Sequence, residues 1–187
     1  MSRRAWFLAA AVAALAPGVA AASGTTSLGV ALGARKHTDG YGPALRLELA
    51  SAPRRLDTHS DYAIVGAFGL SRVWGGTRLY IAPDAVGEGR WVGSAAETSL
   101  GVRLGIEGPG ALRFEPAVSI GLSWRKDDLQ GVQGASFSDQ RLFGRPSFAA
   151  LWDGGTSGLW GLEAAFLIVR GDDGIPVELL AAWRRAF

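Results

Sequence analysis

Residues 98–106 alternate with a period of two. Thr98, Leu100, Val102, Leu104 and Ile106 share one side, and Ser99, Gly101, Arg103 and Gly105 share the other. A strand shows that period when its two faces meet different surroundings. The pattern returns over 112–124, where Leu112, Phe114, Val118, Ile120, Leu122 and Trp124 oppose Arg113, Glu115, Ala117, Ser119, Gly121 and Ser123. It returns again over 160–168, with Trp160, Leu162, Ala164, Phe166 and Ile168 opposite Gly161, Glu163, Ala165 and Leu167. Extended along the chain, it predicts eight strands at 25–36, 43–52, 62–74, 91–107, 110–125, 141–153, 157–170 and 176–187. Residues 77–82 are also strand-like, and counting them would give nine.

Connection lengths favour eight. Gly108-Pro109-Gly110 and Gly154-Gly155-Thr156 read as tight turns, whereas 75–90 and 126–140 are long. With eight strands both chain ends lie on one side, the tight turns fall there, and the long links fall on the other. That is the asymmetry of outer-membrane barrels. A ninth strand breaks it, so 77–82 is placed in the long loop after Gly75-Gly76, as a small hairpin above the membrane. The link 53–61 is longer than an ideal periplasmic turn. Pro116 and Pro146 fall inside predicted strands, where a ladder donor is lost, and predict local bulges.

The composition of the second face separates a membrane barrel from a soluble sandwich. It mixes glycine, alanine and serine with isolated charges. That set covers a soluble exterior poorly and fits a narrow lumen. Its charges are Arg46, Glu48, Glu97, Arg103, Arg113, Glu115, Arg125, Arg145, Glu163, Glu178 and Arg184. The signs are nearly balanced, as desolvated charge requires. Trp74, Trp91, Trp124, Trp152, Trp160, Trp183 and Tyr62 fall near strand ends, where aromatic girdles sit.

The N-terminus predicts export. Arg3 and Arg4 precede an apolar run from Ala5 to Ala16, then Pro17-Gly18 and the small residues Ala20-Ala21-Ala22. This is the three-part signature of a cleaved signal peptide over 1–22, leaving a barrel domain over 23–187. The run is too short for a helical span, which needs about 20 residues. Without Arg3 and Arg4, 17 of the 19 basic residues remain against 17 acidic ones. A net charge of zero gives no support for a nucleic-acid surface. There is no cysteine, which excludes disulfides and thiolate chemistry.

Phe187 ends the chain, with Trp183, Ala181, Leu179 and Val177 at alternate positions before it. In this the sequence resembles the small eight-stranded outer-membrane proteins, the class of the OmpA transmembrane domain and OmpX. The resemblance covers the predicted mature chain in pattern. It implies an up-and-down barrel in a Gram-negative outer membrane. It also implies that Leu179, Trp183 and Phe187 form a terminal signal read by the barrel-assembly machinery. Arg185 departs from the pattern, since an apolar residue is more usual there.

Catalytic chemistry is sparse. His37 is a weak catalytic candidate near the first outer loop, and His59 lies in the first periplasmic link. His37 with Asp39, or His59 with Ser60 and Asp61, would be fragments of a triad, but loops carry such residues for turn reasons alone. Lipid A deacylases of the PagL type use a His-x-Ser pair, which this chain lacks. The PagP palmitoyltransferase type relies on outer-surface histidine and serine, and only His37 stands in a comparable position. Asp127-Asp128 and Asp172-Asp173 are acidic pairs in predicted outer loops, short of the six or more ligands calcium takes. No cofactor or metal motif is present, and the glycines of Gly87-Glu88-Gly89 and Gly154-Gly155 read as turn residues. The sequence thus predicts a non-enzymatic outer-membrane barrel with a filled lumen and a structural or recognition role through its outer loops. Alternatives are a lipid A-modifying enzyme and a soluble periplasmic binder. Its partners would be outer-membrane lipid and lipopolysaccharide, with Arg72, Arg78 and Arg90 near the rim and within reach of lipid phosphates.

Overall fold

The computed structural model describes residues 27–37, 40–82, 85–130, 136–169 and 174–187. Eight strands carry the fold: β1 (Ser27–His37), β2 (Gly40–Ala50), β3 (Ser60–Ala82), β4 (Ala85–Glu107), β5 (Leu112–Gln130), β6 (Ser136–Asp153), β7 (Leu159–Phe166, continued by Ile168–Val169) and β8 (Val177–Ala186). Each pairs antiparallel with its neighbours in sequence, and β1 pairs with β8. The sheet is therefore a closed up-and-down barrel. Closure removes the free edges that an open sheet would expose.

One end holds both chain ends of the barrel and three links. The first link, 51–59, folds as a short hairpin arm: Arg54–Arg55 pairs with Asp61 and Tyr62. The second closes through the Gly108 N–H donating to the Leu112 carbonyl at 2.8 Å. The third contains a single 3-10 turn at Gly155–Ser157. The opposite end is uneven. β3 and β4 run 23 residues each, β5 19 and β6 18, against 11 for β1 and β2. Half of the wall therefore stands well above the other half.

This corrects the reading of 75–90 and 126–140 as long loops. The strands continue through most of both stretches. Gly75-Gly76 is not a turn: the β3–β4 ladder shifts register between Trp74 and Thr77, then runs on to Ala82 opposite Ala85. Gly75 is needed there because a Cβ would lie 2.3 Å from the Trp91 ring. Trp91 is itself a correction. It is buried on the inner face, not in a girdle, because it shares parity with Glu97 and Arg103 on β4.

The expected bulges at the prolines are absent. Pro116 pairs with Phe148, but toward β4 the pairing stops at Arg103–Ala117 and resumes at Ile106–Phe114 with its register unchanged. Pro146 pairs with Val118, and toward β7 the ladder skips from Ser147–Ala165 to Gly144–Ile168, again in register. That gap splits β7 at Leu167. Losing a donor locally is tolerated, whereas a one-residue slip would turn every later side chain to the wrong face.

The outer face is apolar, although Leu151, Leu167 and Leu180 are buried inside. Leu100, Val102, Leu104, Ile106, Val118, Ile120, Leu142, Leu162, Phe166, Ile168 and Leu179 are all exposed on the outside, Ile120 to 72%. Glu97, Glu163 and Glu178 are each only 2% exposed, on the inside. A continuous apolar exterior far exceeds the few hundred Å² that a water-soluble monomer tolerates. Trp152, Trp160 and Trp183 stand opposite one another on consecutive strands near the end that holds the termini. Tyr41 and Trp74 form a corresponding pair near the other end.

Candidate functional site

Inside the barrel, small residues stand beside long charged ones at many inward positions, and Leu151 and Leu180 pack on Ala31, Ala44, Ala149 and Ala182. On β1, Ala31 is followed by Gly33 and then the buried Arg35. The small neighbours leave room for guanidinium groups to cross the lumen. On β4, a Cβ at Gly105 would lie 1.6 Å from Nη2 of Arg113, so only glycine lets that arginine reach across.

Six arginines and six carboxylates meet in an unbroken chain of ion pairs. At the outer end Arg35 donates from both terminal nitrogens to Glu97, at 2.7 Å each, and from Nε to Glu178 at 2.9 Å. Arg145 bridges the same two acids at 2.8 and 3.1 Å. Arg46 continues the chain through Glu178, Glu163 and Glu48. Glu48 receives Arg103 at 2.9 Å and Arg184 at 3.1 Å. Arg184 also reaches Glu163 at 2.9 Å and Glu115 at 2.5 Å. At the end with the chain termini, Arg113 joins Glu115 at 2.9 Å to Asp61 at 2.6 Å. Charges taken out of water are tolerated only when paired and hydrogen-bonded in this way.

Of the predicted inward charges, Arg46, Glu48, Glu97, Arg103, Glu115, Arg145, Glu163, Glu178 and Arg184 are buried. Arg113 is partly exposed at the end of the chain of pairs. Arg125 lines a cleft at the outer end beside Arg35, His37, Trp91 and Asp127. Two members are missing from the predicted inward charges: Asp61, which falls in the predicted link 53–61, and Arg35, near the end of the predicted strand 25–36. The alternation Ala31, Gly33, Arg35 is the signal that would find it.

The lumen is filled unevenly. The outer cleft measures about 30 Å³, as does a space at mid-barrel among Arg46, Glu48, Arg103 and Glu163. Either holds about one water molecule. The end with the chain termini opens into a cavity of about 780 Å³ lined by Asp61, Arg103, Arg113, Glu115 and Arg184.

The two histidines lie at opposite ends. The His37 ring packs 5.6 Å from that of Trp91 at the outer cleft. His59, in the link 51–59, places Nδ1 3.4 Å from Glu107. Asp61 points instead to Arg113, and Ser60 bonds Asp57, so His59, Ser60 and Asp61 do not converge. Asp39, Asp172 and Asp173 lie outside the described residues. Among the described residues no three His, Asp or Glu side chains converge as a metal site. Asp128 is paired with Lys126 at 2.9 Å. Of the terminal residues, Leu179 is exposed on the barrel exterior. Trp183 packs on Trp160 and donates to the Ser157 carbonyl at 2.7 Å, and Phe187 is exposed just beyond β8.

Solved structures share this architecture. Ail, the attachment invasion locus protein of Yersinia pestis, superposes with a TM-score of 0.54 at 11% identity, over 87% of this chain and 99% of that one. Neisserial surface protein A gives 0.53 at 14% identity, over 88% of this chain and 98% of that one. The fold is that of the small eight-stranded outer-membrane barrels. At such low identity the likeness to these small barrels is one of fold. No protein-family profile and no curated protein matches the sequence.

Proposed function

We propose that this chain is a non-enzymatic integral barrel of a Gram-negative outer membrane. Its charged lumen is a structural core, and its tall β3–β6 wall is the surface presented to partners. The observation that carries this reading is the inversion of an ordinary protein: leucine, isoleucine and phenylalanine cover the outside, and twelve paired charges fill the centre. An apolar exterior is stable only in hydrocarbon, and a closed barrel satisfies every strand within it. With this reading come export by a cleaved leader over 1–22 and recognition of the last strand, through Leu179, Trp183 and Phe187, by the assembly machinery.

Fractionation tests it. The protein should sediment with outer membranes, require detergent for extraction and migrate faster on a gel unboiled than boiled. Recovery in the soluble periplasmic fraction, with one mobility whether boiled or not, would overturn the reading and favour a soluble binder. Mass spectrometry of lipid A from expressing cells addresses catalysis. An altered acylation state that vanishes with His37→Ala would replace the non-enzymatic reading with a lipid-modifying one.

A further inference from the structure

The outer wall gathers its positive charge on one side, within three neighbouring rows of the sheet. Along β5 the apolar band runs from Phe114 to Trp124 on the outward parity. Ten residues at about 3.3 Å each, tilted by about 40°, rise roughly 25 Å, which is the height of the lipid-facing band of such barrels. The next outward row sets Arg72, Ser94 and Lys126 side by side on β3, β4 and β5. The row above it runs Lys36, Tyr41, Trp74, Val92 and Asp128. One row higher stands Arg90. Arg72, Lys126, Lys36 and Arg90 are all exposed. The Arg72 guanidinium lies 5.6 Å from the centre of the Trp74 ring, the geometry of a cation held over an aromatic face.

Four cations thus gather within three rows, against Asp128 on Lys126 and Glu88 one row above Arg90. In the adjoining positions of these rows β6 presents Ser136 and Ser138 outward, and β8 Val177 and Leu179. Among the described residues, the outward cations of these rows are confined to β1, β3, β4 and β5. A patch just above the hydrocarbon edge, facing sideways, meets the headgroups of lipids in the same leaflet. Its rows are about 6.6 Å apart along a strand and its strands about 4.8 Å apart, so Arg72 and Lys126 stand roughly 10 Å from each other at the backbone. Long side chains from both sides can close on one headgroup bearing two phosphates.

Resting on the membrane reading above, we propose that Arg72 and Lys126, flanked by Lys36 and Arg90 and by the rings of Tyr41 and Trp74, form a lateral site for a phosphorylated glycolipid of the outer leaflet. Arginine takes phosphate oxygens through paired N–H donors, and the rings pack against the sugar and the upper acyl chain.

The test uses the purified folded barrel in neutral detergent, with bis-phosphorylated lipid A, its monophosphorylated form and its dephosphorylated form as probes, read by native mass spectrometry. Wild type should retain one bis-phosphorylated molecule. Retention should fall by roughly tenfold for R72Q/K126Q, and by a smaller factor for the monophosphorylated probe. R72K/K126R should keep most of the binding. R54Q/R55Q, at the other rim, should keep all of it. Equal retention by wild type and R72Q/K126Q, or of phosphorylated and dephosphorylated probes, would overturn the proposal. Displacement by millimolar inorganic phosphate would also overturn it, as the mark of a free-anion site. Heat-modifiable mobility is measured on every variant. If R72Q/K126Q fails to fold, K36Q/R90Q takes its place with the same expectation. Lost lipid selectivity with the mobility shift intact refutes only this site. A wild type that needs no detergent refutes the membrane reading itself.

Discussion

Glu48 accepts from Arg46, Arg103 and Arg184 at once. Removing its charge leaves three guanidinium groups under-paired in a closed interior. Glu48→Gln should therefore destabilise the barrel by about 3–5 kcal/mol, seen as a lower denaturation midpoint for the unboiled gel form. Glu107→Gln removes only an exposed partner of His59 and should cost less than about 1 kcal/mol in the same assay. Asp57 belongs to the exposed link. The Ser60 hydroxyl, and then the His59 N–H, hold its carboxyl below the ordinary carboxylate range. Its contribution to the turn is present above that ordinary range and is lost as pH falls through the lowered value. An NMR titration should place Asp57 below a model aspartate, with His59 amide exchange rising as the carboxyl protonates. Most of the inner charges are legible in the sequence because strand parity assigns a face to each residue. Arg35 stands at the outer end of its predicted strand, beside Lys36, where parity alone does not separate a lumen charge from a rim charge; Asp61 is missed because the strand starts at Ser60, inside the predicted link.

Among the elements, the eight strands are readable from alternation, whereas their outer limits are not. Where both faces of a strand meet water, the alternation that marks a strand fades. Residues 77–82 stand out only by β-prone composition, and Gly75-Gly76 imitates a turn while serving as a shift in register. The prolines suggest bulges for want of a donor, but they interrupt pairing on one side only. On the membrane reading proposed above, the β3–β4 ladder below Trp74–Val92 is the lipid-facing wall and the part above it stands clear of it. Replacing 77–90 by a short turn should leave the heat-modifiable mobility and the detergent requirement unchanged. Loss of both would show that the tall wall is needed for the barrel to form.

At the scale of the molecule, the lumen is plugged by ion pairs at its outer half and roomy at the end with the chain termini. The wild-type protein in a planar bilayer should therefore show no stable porin-like conductance steps. Large uniform steps would contradict a filled interior. The ladder between β1 and β8 has a further consequence. Every other strand pair is a neighbour along the chain, but this one joins its two extremes. Arg35 meets Glu178 across 143 residues of sequence, and Arg184 meets Glu48 across 136. Contacts so distant form late, after the nearby pairings are in place. Until they do, Arg35 on β1 and Glu178 and Arg184 on β8 sit on two bare margins without these partners. A polypeptide cut short before β8 is then left as an unclosed ribbon with stranded charge, which makes the arrival of the final strand a checkpoint on completeness.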